Sequence, residues 1–270
     1  MKGTVSILGC GWLGFPLAKE LIKSGYEVKG STTSAKKLSS LMANKIIPFQ
    51  IILDPDVKGE NLKSFFECDY LVINIPPQGK DNVEEFHLSQ IKSVIDHLYK
   101  SNCRKIIFIS STSVYGNTNS EVNEEDPAQP ETGSGKALVK VEEYLKAEGD
   151  FAVTIIRFGG LIGEDRNPAY FFAGRKNIPG GNTPVNLIHQ KDCIGIIKII
   201  IENEIWNETV NGVSPYHPTK KELYTKAAAN LNLELPKFDD DIVPYKIVSS
   251  TKVKTLLNYE FIYPDPLLII

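Results

Sequence analysis

Gly9-Cys10-Gly11-Trp12-Leu13-Gly14 spells G-x-G-x-x-G directly after the apolar run TVSIL (4–8) and ahead of a helical pattern. Glycines at these three places permit a tight turn and let the backbone come close to a diphosphate. The helix that follows offers free N–H groups and the positive end of its dipole. Gly9, Gly11 and Gly14, with Trp12 and Leu13 between them, are therefore candidates for holding a dinucleotide. Alone the pattern is also an ordinary strand-to-helix turn; its place on the first strand of a βα series gives it weight. NAD binders usually carry an acid at the end of the second strand to hold the ribose hydroxyls. Here that stretch reads GSTTSAKK (30–37), with no Asp or Glu. Ser31, Thr32, Thr33 and Ser34 could donate to a 2′-phosphate and Lys36 or Lys37 could supply charge, which favours NADP over NAD. The same residues also suit a polar turn that caps a helix.

The elements that must position this loop are legible as alternation. Apolar, β-rich runs occur at 4–8, 26–30, 46–52, 70–75, 105–110 and 152–158, separated by amphipathic patterns such as FPLAKELIKSG and the segment from 82 to 100. Strands that are apolar throughout and separated by helices predict a parallel sheet covered on both faces, an α/β doubly wound Rossmann arrangement. Pro48 removes a ladder donor, so the third strand is expected at an edge. After residue 160 the rhythm gives way to glycine- and proline-rich loops, and Thr219 with Glu222 makes a capping box for a later helix. The expected division is a nucleotide-binding domain over 1–165, to which 187–212 returns, and a small substrate subdomain over 166–270.

Bulk properties narrow the function classes. The chain has 270 residues, 42% hydrophobic and 23% charged, with a formal net charge of −3, so nothing draws it to nucleic acid or an anionic membrane. No apolar run is long enough for a membrane-spanning helix. Cys10, Cys68, Cys103 and Cys193 are far apart in sequence, without the spacing of a zinc site or a disulfide framework, and no metal site is expected. A reducing, cytoplasmic location follows from that cysteine usage.

Ser110-Ser111-Thr112-Ser113-Val114-Tyr115-Gly116, together with the glycine loop, YLVINIPP (70–77), RFGGLIG (157–163) and NLIH-x-x-D (186–192), resembles the extended short-chain dehydrogenase/reductase family. Sugar-nucleotide epimerases and dehydratases belong there, and the likeness is to its atypical branch. The resemblance implies a serine at the end of strand five and a Tyr-x-x-x-Lys on the next helix, in which the tyrosine passes a proton to or from the reacting oxygen. Ser111 takes the serine position and Lys136, in TGSGK (132–136), matches the lysine that holds the nicotinamide ribose. Thr132 stands where the tyrosine is expected, and an aliphatic hydroxyl does not replace a phenol as an acid. Tyr115 is the nearest phenol in sequence and is carried as the alternative proton donor. The resemblance also sets Asn74, Ile75, Pro76, Ser110, Phe158 and Gly159 against the cofactor.

Two readings stand at this stage. The first is an NAD(P)-binding oxidoreductase or epimerase-like protein acting on a small polar substrate, with nucleotide sugars as one class, held between the C-terminal strand ends and the C-terminal subdomain. The second is an NADP-responsive sensor or scaffold that has lost turnover. A homodimer is an option that the resemblance raises and the sequence does not decide.

Overall fold

The computed structural model describes residues 2–78 and 81–270. In chain order the first part holds β1 (Thr4–Leu8), α1 (Gly14–Lys23), β2 (Glu27–Thr32), α2 (Leu38–Ala43), β3 (Ile47–Leu53), β4 (Val57–Gly59), α3 (Leu62–Phe66), β5 (Tyr70–Ile73), α4 (Val83–Leu98) and β6 (Lys105–Ser111). Then come β7 (Glu121–Val122), α5 (Gly133–Ala147), β8 (Ala152–Phe158), β9 (Gly160–Ile162), α6 (Ala169–Phe172), β10 (Leu187–His189) and α7 (Gln190–Glu202). The last elements are β11 (Thr209–Gly212), α8 (Lys220–Asn230), β12 (Ile247–Val248) and α9 (Thr251–Leu257). Eight strands form the main sheet in the order β11-β8-β6-β5-β1-β2-β3-β4. The pairs β1–β2, β1–β5, β2–β3 and β5–β6 are parallel, as the all-apolar strands require.

The strand at the end of the sheet differs from expectation. β3 is not the edge, because β4 turns back antiparallel beside it. That pairing covers only Ile51, Ile52 and Leu53. Pro48 sits in the earlier half of β3, which pairs with β2 alone, so the missing N–H costs no ladder bond. The proline marks a local edge rather than an edge strand.

Helix faces follow the 3.6-residue period. α1 buries Gly14, Leu17, Ala18 and Leu21; α4 buries His87, Gln90, Ile91, Val94, Ile95 and Leu98; α5 buries Ala137, Leu138, Val141 and Leu145. All four residues of β5 are buried, so both faces of the sheet are covered there. α4 and α5 pack against each other.

The chain divides into two compact units: residues 1–114, 130–156 and 197–209, and residues 115–129, 157–196 and 210–270. The second unit has two small parallel sheets, β9 with β10 and β7 with β12. Its apolar centre is Ile162, Leu187, Leu223 and Tyr224, with Phe172, Val185 and Phe238 packed on it. The expected capping box opens α8: Thr219 accepts from the Glu222 backbone and the Glu222 carboxylate accepts from Thr219 N–H. No described helix is long and apolar enough to cross a membrane.

Candidate functional site

In the first unit, β1, β5 and β6 run parallel, so Gly9, Asn74 and Ser111 leave the sheet along the same edge. The turn after β1 is tightly fastened. Gly9 N–H donates to Ser31 Oγ (2.9 Å), Cys10 N–H donates to Ser31 O (2.8 Å), and Asn74 Nδ2 donates to Gly9 O (2.9 Å). Gly9 has φ +106°, and a Cβ there would lie 2.4 Å from Asn74 O. A Cβ on Gly14 would lie 2.3 Å from Gly9 O. Those two glycines are needed by the turn itself. Gly11 is different: a Cβ there would meet nothing within 4 Å. The Gly11 backbone is exposed, and the N–H groups of Gly11 and Leu13 donate to no described residue. A diphosphate needs this combination of open approach, free donors and a helix N-terminus, so the residues present fit a dinucleotide.

Ser31 is 2% exposed and its hydroxyl props the glycine turn, so it supports the loop from beneath. Thr32 Oγ1 accepts from Ser34 N–H (3.2 Å), while Thr33 and Lys36 are exposed. Asn74 and Ile75 lie against Gly9, and Pro76 is exposed beyond them. Trp12 is half-buried and Leu13 buried.

The start of α5 answers what TGSGK is for. Thr132 is the N-cap: its Oγ1 accepts from Gly135 N–H (3.1 Å). Gly135 lets the first helical turn press on the turn after β6, since a Cβ there would lie 2.5 Å from Ser113 O. Lys136 follows, exposed, and its ammonium has no partner among the described residues. Alternation along β6 divides its two terminal serines. Ser110 is buried and its Oγ donates to the buried Glu142 carboxylate on α5 (2.6 Å), whereas Ser111 is half-buried and its Oγ accepts from Ser113 N–H (3.1 Å). Glu142 was not signalled by the sequence, because one carboxylate on a helix of mixed polarity reads as solvated.

Tyr115 belongs to the second unit and is 2% exposed. Its hydroxyl donates to Asn211 Oδ1 (2.9 Å) and accepts from Arg157 Nη1 (2.7 Å), and the guanidinium lies 4.9 Å from the ring centre. Burial pushes the phenol above its ordinary value, with Arg157 opposing. The structure therefore places this phenol in a buried polar knot. Phe158 and Gly159 are buried in the same unit; the Phe158 ring lies against Gly212, and Gly159 N–H donates to Gly212 O (3.0 Å).

Asp192 lies in the first turn of α7, and its side chain turns to the chain's last segment. Its buried carboxylate accepts from Tyr259 Oη (2.9 Å), Ile262 N–H (2.7 Å) and Tyr263 N–H (3.1 Å), tying down the tail. At the start of α7, His189 Nδ1 accepts from Lys191 N–H (3.2 Å). His87 is fully buried on α4, with Nδ1 at 3.0 Å from Gln90 Oε1. A cleft of about 680 Å³ lies against β3 and β4, between Leu38, Phe49, Lys58 and Asn61, and includes none of the candidate residues. Among the described residues, no group of three or more His, Cys, Asp or Glu side chains could hold a metal ion.

Residues 5–192 match the family described as NAD dependent epimerase/dehydratase. Protein YeeZ of Escherichia coli (strain K12) is 34% identical over 267 residues, 97% of either chain. A short-chain dehydrogenase/reductase superfamily protein from Agrobacterium tumefaciens, solved with bound NAD, superposes with a TM-score of 0.80 at 16% identity, covering 98% of this chain and 94% of that one. MoeE5 in complex with UDP-glucose and NAD superposes with a TM-score of 0.77 at 15% identity, covering 99% and 97%. At those identities the two structures speak for the fold.

Proposed function

We propose that this chain, which belongs to the NAD dependent epimerase/dehydratase family, binds NADP(H) at its glycine loop and acts on a small polar substrate of the nucleotide-sugar class. The observation that carries the reading is the contrast within the loop: Gly9 and Gly14 have no room for a side chain, while Gly11 faces open space beside N–H donors that no described residue takes up. A bound nicotinamide supplies hydride donor and acceptor chemistry. The N–H groups of Gly11 and Leu13, at the positive end of α1, hold the diphosphate. Thr33 and Lys36, exposed after β2, hold a 2′-phosphate where an NAD binder has an acid. The Lys136 ammonium, without a partner among the described residues, holds the nicotinamide ribose, and Ser111 donates to the reacting oxygen. The substrate class is supported by MoeE5, whose complex contains UDP-glucose with NAD.

The proton needs a source other than the usual phenol. Thr132 already accepts a backbone hydrogen bond as a helix cap, and Tyr115 donates to Asn211. Water, or a hydroxyl of the substrate itself, is the proposed donor. The test is to incubate the chain with NADP⁺ or NADPH and a panel of UDP- and dTDP-linked sugars, following reduced-cofactor absorbance and product mass. Conversion of one sugar, lost on Ser111→Ala, is expected.

The capping role of Thr132 also favours a second reading, an NADP-responsive sensor without turnover. Such a protein must bind oxidised and reduced cofactor with different affinities, since equal ones shift no population. Tight, redox-selective binding with no conversion across the panel would select it.

A further inference from the structure

Cys68 and Cys103 are separated in sequence but level in the sheet. β5 and β6 pair in parallel with Tyr70 opposite Lys105 and Ile73 opposite Phe108. Two residues before each strand, that register sets Cys68 opposite Cys103. Neighbouring strands stand about 5 Å apart, within the roughly 4.4–6.8 Å Cα separation that a disulfide spans. Both residues lie in irregular backbone just ahead of their strands, which leaves their torsions freer than those of a ladder pair. Cys68 Sγ donates to Phe66 O (3.6 Å) and Cys103 Sγ to Lys105 O (3.7 Å), so each thiol is held beside its own strand entrance.

The surroundings make the pair unequal. Lys29 is buried and its ammonium donates to Ser64 O (2.7 Å) and Glu67 O (2.6 Å), which places a fixed positive charge beside Cys68. The neighbouring Cys103 thiol, then Ser6 and the Lys29 charge, hold the Cys68 thiol below its ordinary value against the opposing effect of burial. The same pairing and burial push Cys103 up. Cys68 is 8% exposed and Cys103 is wholly buried, so one sulfur is the more acidic and also the more accessible. The other two cysteines lack these features. Cys10 is packed under Gly30 with its thiol pushed up to about 12 by burial, and Cys193 is fully buried with its thiol raised well above the usual range.

We propose that Cys68 and Cys103 form a redox-modification site that hydrogen peroxide closes to an intramolecular disulfide. The Cys68 thiolate attacks one peroxide oxygen and the O–O bond breaks. The departing oxygen takes up the proton that Cys68 gave up and leaves as water, with Cys68 as the sulfenic acid. Cys103 then attacks the Cys68 sulfur, the S–O bond breaks, and the hydroxyl leaves with the Cys103 proton as a second water. Two thiols lose two electrons and two protons in total, and the peroxide is reduced to two waters. The new bond ties the chain ahead of β5 to the chain ahead of β6, at the sheet edge opposite Gly9, Asn74 and Ser111. It staples the strand entrances, and the site does not depend on which cofactor or substrate the protein uses.

The test is a peptide map of the full chain, folded in buffer, treated with hydrogen peroxide and alkylated before digestion. A linked peptide joining Cys68 to Cys103, two hydrogens lighter than the sum of its parts and released by dithiothreitol, is expected. Cys10 and Cys193 should be alkylated only after denaturation. In Cys103→Ser a sulfenic-acid probe should label Cys68, and in Cys68→Ser it should label nothing. The wild-type map decides the matter even if a variant fails to fold. Unchanged thiols, a disulfide to Cys10 or Cys193, a link between two chains, or overoxidation of Cys68 without a bridge would each overturn the proposal.

Discussion

Replacing the three loop glycines by alanine, one at a time, should separate what folds the turn from what binds a ligand. Gly9→Ala puts a Cβ 2.4 Å from Asn74 O at φ +106°, so strain and overlap act together. Backbone strain of about 1–3 kcal/mol and forced displacement of about 1–3 kcal/mol sum to a loss near 4 kcal/mol. Gly14→Ala suffers only the overlap with Gly9 O, at 2.3 Å, a loss of about 2 kcal/mol. At about 2–4 °C per kcal/mol for a chain of this size, melting should fall by about 8–16 °C and about 4–8 °C respectively. Gly11→Ala meets nothing, so its stability should stay within about 0.5 kcal/mol of wild type. Its methyl stands in the path of the diphosphate, and NADPH affinity should fall at least tenfold, about 1.4 kcal/mol. Thermal melts and calorimetric titration of the three variants read both quantities. A Gly11→Ala protein that binds NADPH like wild type, or melts as low as Gly14→Ala, would refute the reasoning.

Tyr115→Phe removes the hydroxyl between Arg157 and Asn211 and should cost about 2 kcal/mol in urea unfolding, with NADPH affinity unchanged; a large loss of affinity without a stability change would give the phenol a different role. Thr132→Ala loses the α5 cap and should cost about 1 kcal/mol, with Thr132→Ser near wild type; equal stability of all three would remove Thr132 from the cap. Burial, first among the causes, holds His87, His97, His189 and His217 below the ordinary 6.5. The folded chain then binds fewer protons than the unfolded one below that value. Stability is full above pH 6.5 and falls as the pH drops through 6.5 toward the lowered folded values. Urea midpoints at about pH 7.5 and about pH 5.5 should differ in that direction, and equal midpoints would contradict it.

Much of the positioning apparatus can be read locally. The glycine loop, the apolar strands and the Thr219 capping box are short-range patterns, and the structure contains them where they are written. β4 escapes such reading because Val57–Gly59 is too short to show alternation, and its presence moves β3 off the edge. Side-chain direction at a strand end depends on partners elsewhere: Ser31 turns to Gly9, and Ser110 to Glu142. Tyr115 looks available in the sequence because its partners, Arg157 and Asn211, arrive from two later strands. The Cys68–Cys103 pairing is set by β5–β6 register, a quantity that no spacing between cysteines encodes.

The central claim is a nicotinamide dinucleotide on the glycine loop, gripped by Lys136. Its most direct test is calorimetric titration of the purified chain with NADPH, NADP⁺ and NADH, beside Lys136→Ala. The account predicts saturable binding at one site, tighter for NADPH than for NADH and weakened by Lys136→Ala in a variant that melts like wild type. No binding of any of the three by the folded wild-type chain would contradict it.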